Sequence, residues 1–173
     1  MNAKIDNNML YNGSVQLSIK IGNKIIKKDF HNNGTMLLKK LFAMFMCGGK
    51  SAESALEQLP KRLDLRFIQS DVEYSNLRKP VYVTSPTYGL DNTLTESSWY
   101  VEYNAVIPYE SLVDPIKQDF QYKFYLMGNI GGTDLAYIDV SYEDLAGLEP
   151  GVSIIIAWRL KLLVNQVVRG GNN

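Results

Sequence analysis

The sequence predicts a mainly β protein: an antiparallel β-sandwich, jelly-roll-like, with one or two helices inserted after its first hairpin. Short segments in which apolar and polar residues alternate recur along the chain, and turn signals separate them. No regular alternation of strands with helices occurs, which argues against a parallel sheet. The length of 173 residues suits one domain. We expect a single domain over residues 1–173, with polar arms at both ends.

The first two strands are predicted as a hairpin. Every second residue of 14–21 is apolar, which is typical of a half-buried strand. The Gly22-Asn23 pair that follows is a two-residue turn signal, and residues 24–30 form the returning strand. His31 is predicted to lie in the next turn.

Two helices are predicted after this hairpin. Residues 36–47 place Leu38, Leu41 and Phe45 on one stripe, and further apolar residues make this helix apolar almost all round. We therefore expect it to be buried on more than one side, and Gly48-Gly49 to end it. A shorter helix over residues 51–58 has Ser51 as its expected N-cap, and Pro60 stops it.

The rest of the chain is predicted as strands around one long loop. Residues 71–98 are polar and contain one short β-like run, at 81–83, so we expect a long loop that carries binding contacts. The strand predictions outside this loop are residues 63–67, 99–107, 120–127, 135–140 and 152–164.

Composition excludes several classes of function. The 18 basic residues equal the 18 acidic ones, and this balance argues against a nucleic-acid binder or a polybasic membrane anchor. One histidine and one cysteine cannot form an intrachain disulfide or a zinc site built from those residue types. No apolar run reaches the length of a membrane span, and the N-terminus lacks the apolar stretch of a signal peptide. Synthesis in a reducing cytoplasm is therefore expected.

No catalytic, cofactor-binding or metal-binding residue is predicted, and we expect no enzymatic activity. His31 is interpreted as a solvated turn residue, and Cys47 as a small buried hydrophobe. The glycine-rich residues 131–134 lack the Lys-Ser/Thr ending of a phosphate-binding loop and precede a strand, so they are interpreted as a turn. A glycosidase built on Glu102 with Glu96 or Glu110 is the least favoured alternative.

The 11 tyrosines favour a binding surface, because a tyrosine buries a large ring while its hydroxyl stays polar. Several of them, with one tryptophan, concentrate in and around the polar middle of the chain. The candidate partner interface consists of Tyr74, Tyr82, Tyr88, Trp99, Tyr100 and Tyr109. The same aromatic side chains could instead bind a carbohydrate, which is the second hypothesis.

The order of segments also forms a pattern. An Asn33-Gly34 turn precedes the apolar helix, and the strand from Val101 ends in an Ile-Pro break at Pro108. A Gly-Gly turn then leads into Leu-Ala-Tyr, and the last strand has the form Gly-x-Ser-apolar-x-Ile-x-Trp-x-Leu. These later positions are Gly131, Gly132, Leu135, Ala136, Tyr137, Gly151, Ser153, Ile156, Trp158 and Leu160.

This order resembles small virion proteins of tailed bacteriophages, from the tail, baseplate or head-to-tail connector. The resemblance implies a structural protein without enzymatic activity or cofactor, made in the host cytoplasm and resident in the virion. It implies a homo-oligomer, a cyclic ring or trimer, that binds other virion proteins in the head-to-tail region, the tail or a fibre attachment. The alternative is a carbohydrate- or receptor-binding β-sandwich module.

Overall fold

The computed structural model describes residues 13–31, 40–41, 43–44, 47–92, 97–128 and 134–163. These residues form a mainly β protein with two antiparallel sheets and few helices. The coarse fold prediction is therefore confirmed. Both expected terminal arms lie outside the described residues, as do residues 129–133, which were predicted as a turn.

The first sheet has five strands in the order β2-β1-β10-β7-β6. Its two outer strands on one side are the predicted first hairpin, which turns at Gly22 with a φ of 55°. A glycine suits this turn because it adopts positive φ without steric cost. The strands are β1 (Gly13–Ile21), β2 (Lys24–His31), β6 (Thr87–Asn92), β7 (Ser97–Pro108) and β10 (Ser153–Leu163).

The second sheet has the order β4-β3-β8-β9, and the short strand β5 pairs with β3 beside β4. Each neighbouring pair of strands in both sheets is antiparallel. The strands are β3 (Pro60–Gln69), β4 (Val72–Ser75), β5 (Val81–Tyr82), β8 (Gln121–Gly128) and β9 (Asp134–Val140).

One hydrophobic core joins the two sheets. In the first sheet the register places Ile19 beside Ile156, and Ile156 beside Ala105. In the second sheet Phe124 lies between Leu65 and Ile138. Alternate residues of β1, β3, β7, β8, β9 and β10 thus reach one continuous buried cluster, as the apolar alternation predicts.

The helices are few and short. Helix α1 (Gly49–Glu57) follows the first hairpin, and helix α2 (Tyr142–Leu145) follows β9. The described residues of the predicted helix 36–47 are helical, and the other residues of that prediction lie outside the described part. Leu41 and Ala55 form a second buried cluster with Leu135 of β9. None of the helices described here is long and apolar enough to cross a membrane.

The polar segment 71–98 is the largest correction. It was predicted as a long loop with one β-like run at 81–83. Strand β5 confirms that run, but the segment also contains β4 and β6, which were not predicted. These strands are short and lie at sheet edges, where side chains meet solvent on more sides than in a central strand. The apolar alternation that marks a half-buried strand is therefore weak in them.

Three smaller predictions are also corrected. His31 is the last residue of β2 rather than a turn residue, because β1 extends back to Gly13 and supplies Ser14 as its partner. Helix α1 begins at Gly49 with Gly48 as N-cap, so Ser51 lies inside the helix. Cys47 is exposed rather than buried.

Candidate functional site

The predicted aromatic interface divides over several places. Tyr88 and Trp99 are neighbours, with ring centroids 6.3 Å apart. Tyr74 on β4 stacks on Phe67 at 5.4 Å, and Tyr82 is an exposed residue of β5. Tyr109 is half-buried in a short 3-10 turn and packs against the main core. Tyr100 lies on β7 and faces away from its neighbour Trp99. Whether any of them contacts a partner stays a prediction.

An exposed apolar patch lies at the β6 edge of the first sheet. The register places Tyr88 opposite Val101 and Leu90 opposite Trp99, so these side chains share the face of the sheet that carries the core. Val101 packs against the core, whereas Tyr88, Leu90 and Trp99 are 80%, 44% and 49% exposed. The face of the first sheet that carries the core is therefore exposed to solvent at its β6 edge. We call Tyr88, Leu90 and Trp99 the β6 patch.

The opposite face of this edge is closed by stacking. A Cβ atom on Gly89 would lie 2.5 Å from the Tyr100 hydroxyl, so the Tyr100 ring occupies the space of a side chain. The guanidinium of Arg159 lies 4.4 Å from the centre of the same ring. Arg159 also donates to Glu102 at 2.5 Å, and Glu102 accepts a second hydrogen bond from Asn104 at 3.0 Å. This chain of contacts holds β6, β7 and β10 together.

Glu102, the central residue of the glycosidase alternative, is an ion-paired strand residue. Partial burial would raise its pKa, but the hydrogen bonds from Arg159 and Asn104 offset this, and the pKa lies below its ordinary value. A glycosidase acid needs a raised pKa, so the arrangement suits a structural salt bridge better. Glu110 is also depressed in pKa, because backbone N–H groups, including that of Gly151, donate to it. Glu96 lies outside the described residues.

The densest polar cluster lies on the outer face of the second sheet and was not predicted. Arg66 on β3 binds both carboxylate oxygens of Asp134 at 2.8 Å and donates to Asp64 at 3.0 Å. Its guanidinium also lies 4.0 Å from the centre of the Tyr125 ring. The Tyr125 hydroxyl donates to Glu73 at 2.7 Å. We call these five residues the Arg66 cluster.

Two further residues complete the hydrogen bonding of this cluster. Ser75 donates to Asp64 at 2.7 Å, and Lys123 donates to Glu73 at 3.1 Å. Asp64 is only 3% exposed, so its charge depends on these partners rather than on water.

The electrostatics of the Arg66 cluster keep Arg66 and Glu73 charged and Tyr125 protonated at neutral pH. Burial and the hydrogen bond to Glu73 raise the pKa of Tyr125, so its hydroxyl stays protonated and donates. Burial would raise the pKa of Glu73, but Tyr125 and Lys123 donate to it and the pKa is lowered. Burial would lower the pKa of Arg66, but the hydrogen bonds to Asp134 and Asp64 outweigh this effect and raise the pKa above its ordinary value. Such a mutually paired set crosslinks strands and leaves no activated base or nucleophile within it.

The sequence indicated that residues of the Arg66 cluster lie on the outer faces of two strands. Asp64 and Arg66 occupy the polar positions of a strand, and Lys123 and Tyr125 occupy the matching positions of another. Without the register, these positions are typical of solvated residues. The pairing of β3 with β8 brings them together, and that pairing joins residues about sixty positions apart.

A groove of about 560 Å³ lies beside α2. Its lining includes Phe120, Tyr142 and Lys28 of β2. Lys28 donates a hydrogen bond to Asp144. Burial would raise the pKa of Asp144, but this bond offsets the effect of burial and the pKa is lowered. The volume is within the range of ligand pockets. Among the described residues, no group of His, Cys, Asp or Glu is arranged to hold a metal ion.

Comparison with known proteins does not assign a family: no family model, no curated protein and no solved structure matches the chain. The function is therefore argued from the chain's own residues.

The depressed pKa values predict a loss of stability in acid. The pKa values of Glu73, Glu102 and Asp144 are lowered by folding. These groups therefore stabilise the fold fully above their unfolded pKa values, about 4. The contribution is lost as pH falls through the folded values. We expect the free energy of unfolding to be flat between pH 7 and pH 5 and to fall below about pH 4.5.

Urea unfolding at a series of pH values measures this profile. In the variant Glu73→Gln we expect a shallower acid limb, because one titrating group is removed. The pKa of Tyr125 is raised by folding, so its contribution to the free energy of unfolding is present below about pH 10 and is lost as pH rises further. An acid limb unchanged by Glu73→Gln would show that the Arg66 cluster does not stabilise the ionised carboxylate.

Proposed function

We propose that the protein is a structural virion protein of a tailed phage, which assembles by packing against itself and against other virion proteins. The observation that carries this proposal is the β6 patch. Three large apolar side chains continue the core face of a sheet into solvent, next to a sheet edge. Contiguous exposed apolar surface of this kind marks a protein–protein contact. The resemblance in segment order supplies the virion context.

The pairing of the charged residues supports a role without a chemical step. Among the described residues, each carboxylate with a shifted pKa is shifted downward and has a hydrogen-bond donor beside it. General acids and bases need the opposite shift or a value near neutral pH. Glu102 and Glu73 therefore serve as structural partners of Arg159 and Tyr125 in this proposal.

The finer fold is part of the same proposal: a two-sheet sandwich, jelly-roll-like, whose inserted helices cover the second sheet. The shared core and the contact of Leu41 and Ala55 with Leu135 support it. Four hairpins stay within one sheet, namely β1–β2, β3–β4, β6–β7 and β8–β9. The chain therefore changes sheet between hairpins, and the jelly-roll-like connection stays a prediction.

Mass spectrometry of purified particles tests the virion role. Particles are isolated by density gradient from cells that carry the gene and the neighbouring phage genes. We expect the chain in the particle fraction, at a copy number that is a small multiple of that of other connector or tail proteins. Finding it only in the soluble fraction, with the particles complete, contradicts the proposal.

A carbohydrate- or receptor-binding module remains the second candidate, favoured by the neighbouring rings of Tyr88 and Trp99. Exposed aromatic faces are the surfaces on which sugar rings stack. A glycan array probed with multivalent protein tests this candidate, with Trp99→Ala as the matched variant. Binding that disappears in this variant would favour the module, and an array without any binding would remove it.

A further inference from the structure

We propose that two copies of the chain pair through β6, edge to edge and antiparallel, with Gly89 of one copy opposite Gly89 of the other. This inference rests on the proposed assembly function and names the surface and the partner. It concerns one edge of one sheet, and the four edges of the structure differ in ways that single this edge out.

The opposite edge of the first sheet is protected. Strand β2 carries Lys24, Lys27 and Lys28, and lysines on an edge strand oppose pairing with another strand. Two of these lysines also contact α2: Lys24 donates a hydrogen bond to the Glu143 carbonyl, and Lys28 forms a salt bridge with Asp144. Helix α2 therefore lies against lysine side chains of this edge strand.

The edges of the second sheet are short or charged. Strand β4 has four residues and carries Glu73 of the Arg66 cluster. Strand β9 includes Asp134 and Asp139. In contrast, the one charged residue of β6 is Asp91, and Thr87 to Leu90 carry no charge. Within the part of the chain that the structure describes, it also has no strand on its outer side. Such an edge is a template for another strand.

The spacing of β6 is self-complementary about Gly89. An antiparallel pair centred on this residue places Tyr88 of each copy opposite Leu90 of the other. Both residues lie on the core face of the sheet, so each pair joins two apolar side chains. Trp99, beside Leu90 on β7, extends the contact. Gly89 has no side chain at the twofold axis, and each Tyr100 ring already covers it on the outer face.

The size of the contact sets its expected strength. A six-residue strand with three large side chains is small against the roughly 800 Å² per partner of a standard interface. We therefore expect a dissociation constant in the micromolar range, and assembly at the high local concentration of a growing particle.

Light scattering over a range of concentrations tests the pairing. We expect the wild-type chain to form dimers, and Tyr88→Lys to raise the dissociation constant about tenfold or more, because symmetry changes two pairs at once. Tyr82→Lys is the matched control, because Tyr82 is 78% exposed on the edge strand β5 and Tyr88 is 80% exposed on β6. Both substitutions lie at exposed positions, so both variants should fold.

Disulfide trapping tests the register. In a Cys47→Ser background, Tyr88→Cys and Leu90→Cys chains are oxidised separately and as a mixture. The proposed register brings residue 88 of one copy opposite residue 90 of the other, so only the mixture should form disulfide-linked dimers. Identical positions are offset by two residues, about 7 Å along the strand, which is too far for a disulfide.

The outcomes separate this inference from the function it rests on. A wild-type chain that is monomeric up to about millimolar concentration overturns the β6 pairing. A chain whose oligomer is unaffected by Tyr88→Lys, or a mixture that does not crosslink, also overturns it, and a self-assembling virion protein then pairs elsewhere. Absence of the chain from particles, with β6 dimers still present, refutes the virion role alone.

Discussion

The substitution Trp158→Ala is expected to lower the free energy of unfolding by about 3–5 kcal/mol. Trp158 is fully buried near the middle of β10, where its register partners are Leu17 and Tyr103. Both neighbours are themselves buried and belong to strands on either side. Their backbones cannot move together to fill the space without breaking the ladders of β1 and β7. The cavity therefore remains, and the cost is large against the 5–15 kcal/mol stability of a typical domain.

Trp158→Phe separates packing from the polar atom of this side chain. The indole Nε1 of Trp158 is buried, with no hydrogen-bond partner among the residues that the structure describes. Phenylalanine removes this N–H group and leaves a smaller cavity, so we expect a loss of about 2 kcal/mol or less. Trp99→Ala is the control, since Trp99 is half exposed, and should change stability by about 1 kcal/mol or less.

Urea unfolding followed by circular dichroism measures all three variants. A similar loss for Trp158→Ala and Trp99→Ala would contradict the placement of Trp158 at the centre of the core. If Trp158→Ala does not fold, the comparison of Trp158→Phe with Trp99→Ala still tests that placement.

The strands that carry the core could be predicted from the sequence, because burial on one face leaves a period of two. Ile19, Phe124 and Ile156 are examples: each lies in an alternating run, and each is fully buried. Of the strands in segment 71–98, the β-like run that contains Tyr82 was predicted and is β5. Strands β4 and β6 were not predicted, because Tyr74 and Tyr88 meet solvent and their segments carry little alternation.

The polar contacts could not be predicted from the strands alone, because they also depend on the register in which the strands pair. Arg66 and Asp134 are 68 residues apart, and nothing in either local sequence indicates the other. Short-range patterns report which face a residue lies on. They do not report which strand lies beside it, and a one-residue change of register would send Arg66 to the opposite face.

The second large effect is expected for Arg66→Met, which should cost about 3 kcal/mol or more. Methionine keeps much of the length of the side chain but removes the charge and every hydrogen bond to Asp134 and Asp64. Asp64 is 3% exposed, and its carboxylate would remain in a site from which water is largely excluded. Removing one partner of a buried pair is costly for this reason, even where the intact pair contributes little.

Two control variants isolate the cause. Arg66→Lys keeps the charge but cannot bind both oxygens of Asp134 at once, so we expect an intermediate loss of about 1–2 kcal/mol. Lys117→Met removes the cation of an exposed pair, in which Lys117 and Asp114 lie 3.9 Å apart, and should cost about 0.5 kcal/mol or less.

The pH dependence of the Arg66→Met loss distinguishes an unpaired charge from lost packing. Without the guanidinium, Glu73 loses one of the positive charges that help to lower its pKa, so its folded pKa moves back towards the ordinary value. The difference in unfolding free energy between wild type and variant should therefore be largest near neutral pH and shrink as pH falls below about 4. A packing defect would give the same difference at every pH. Urea unfolding of both chains at pH 7 and pH 3 decides between them, and a constant difference would show that Arg66 acts through its aliphatic stem and its contact with Tyr125 rather than through its charge.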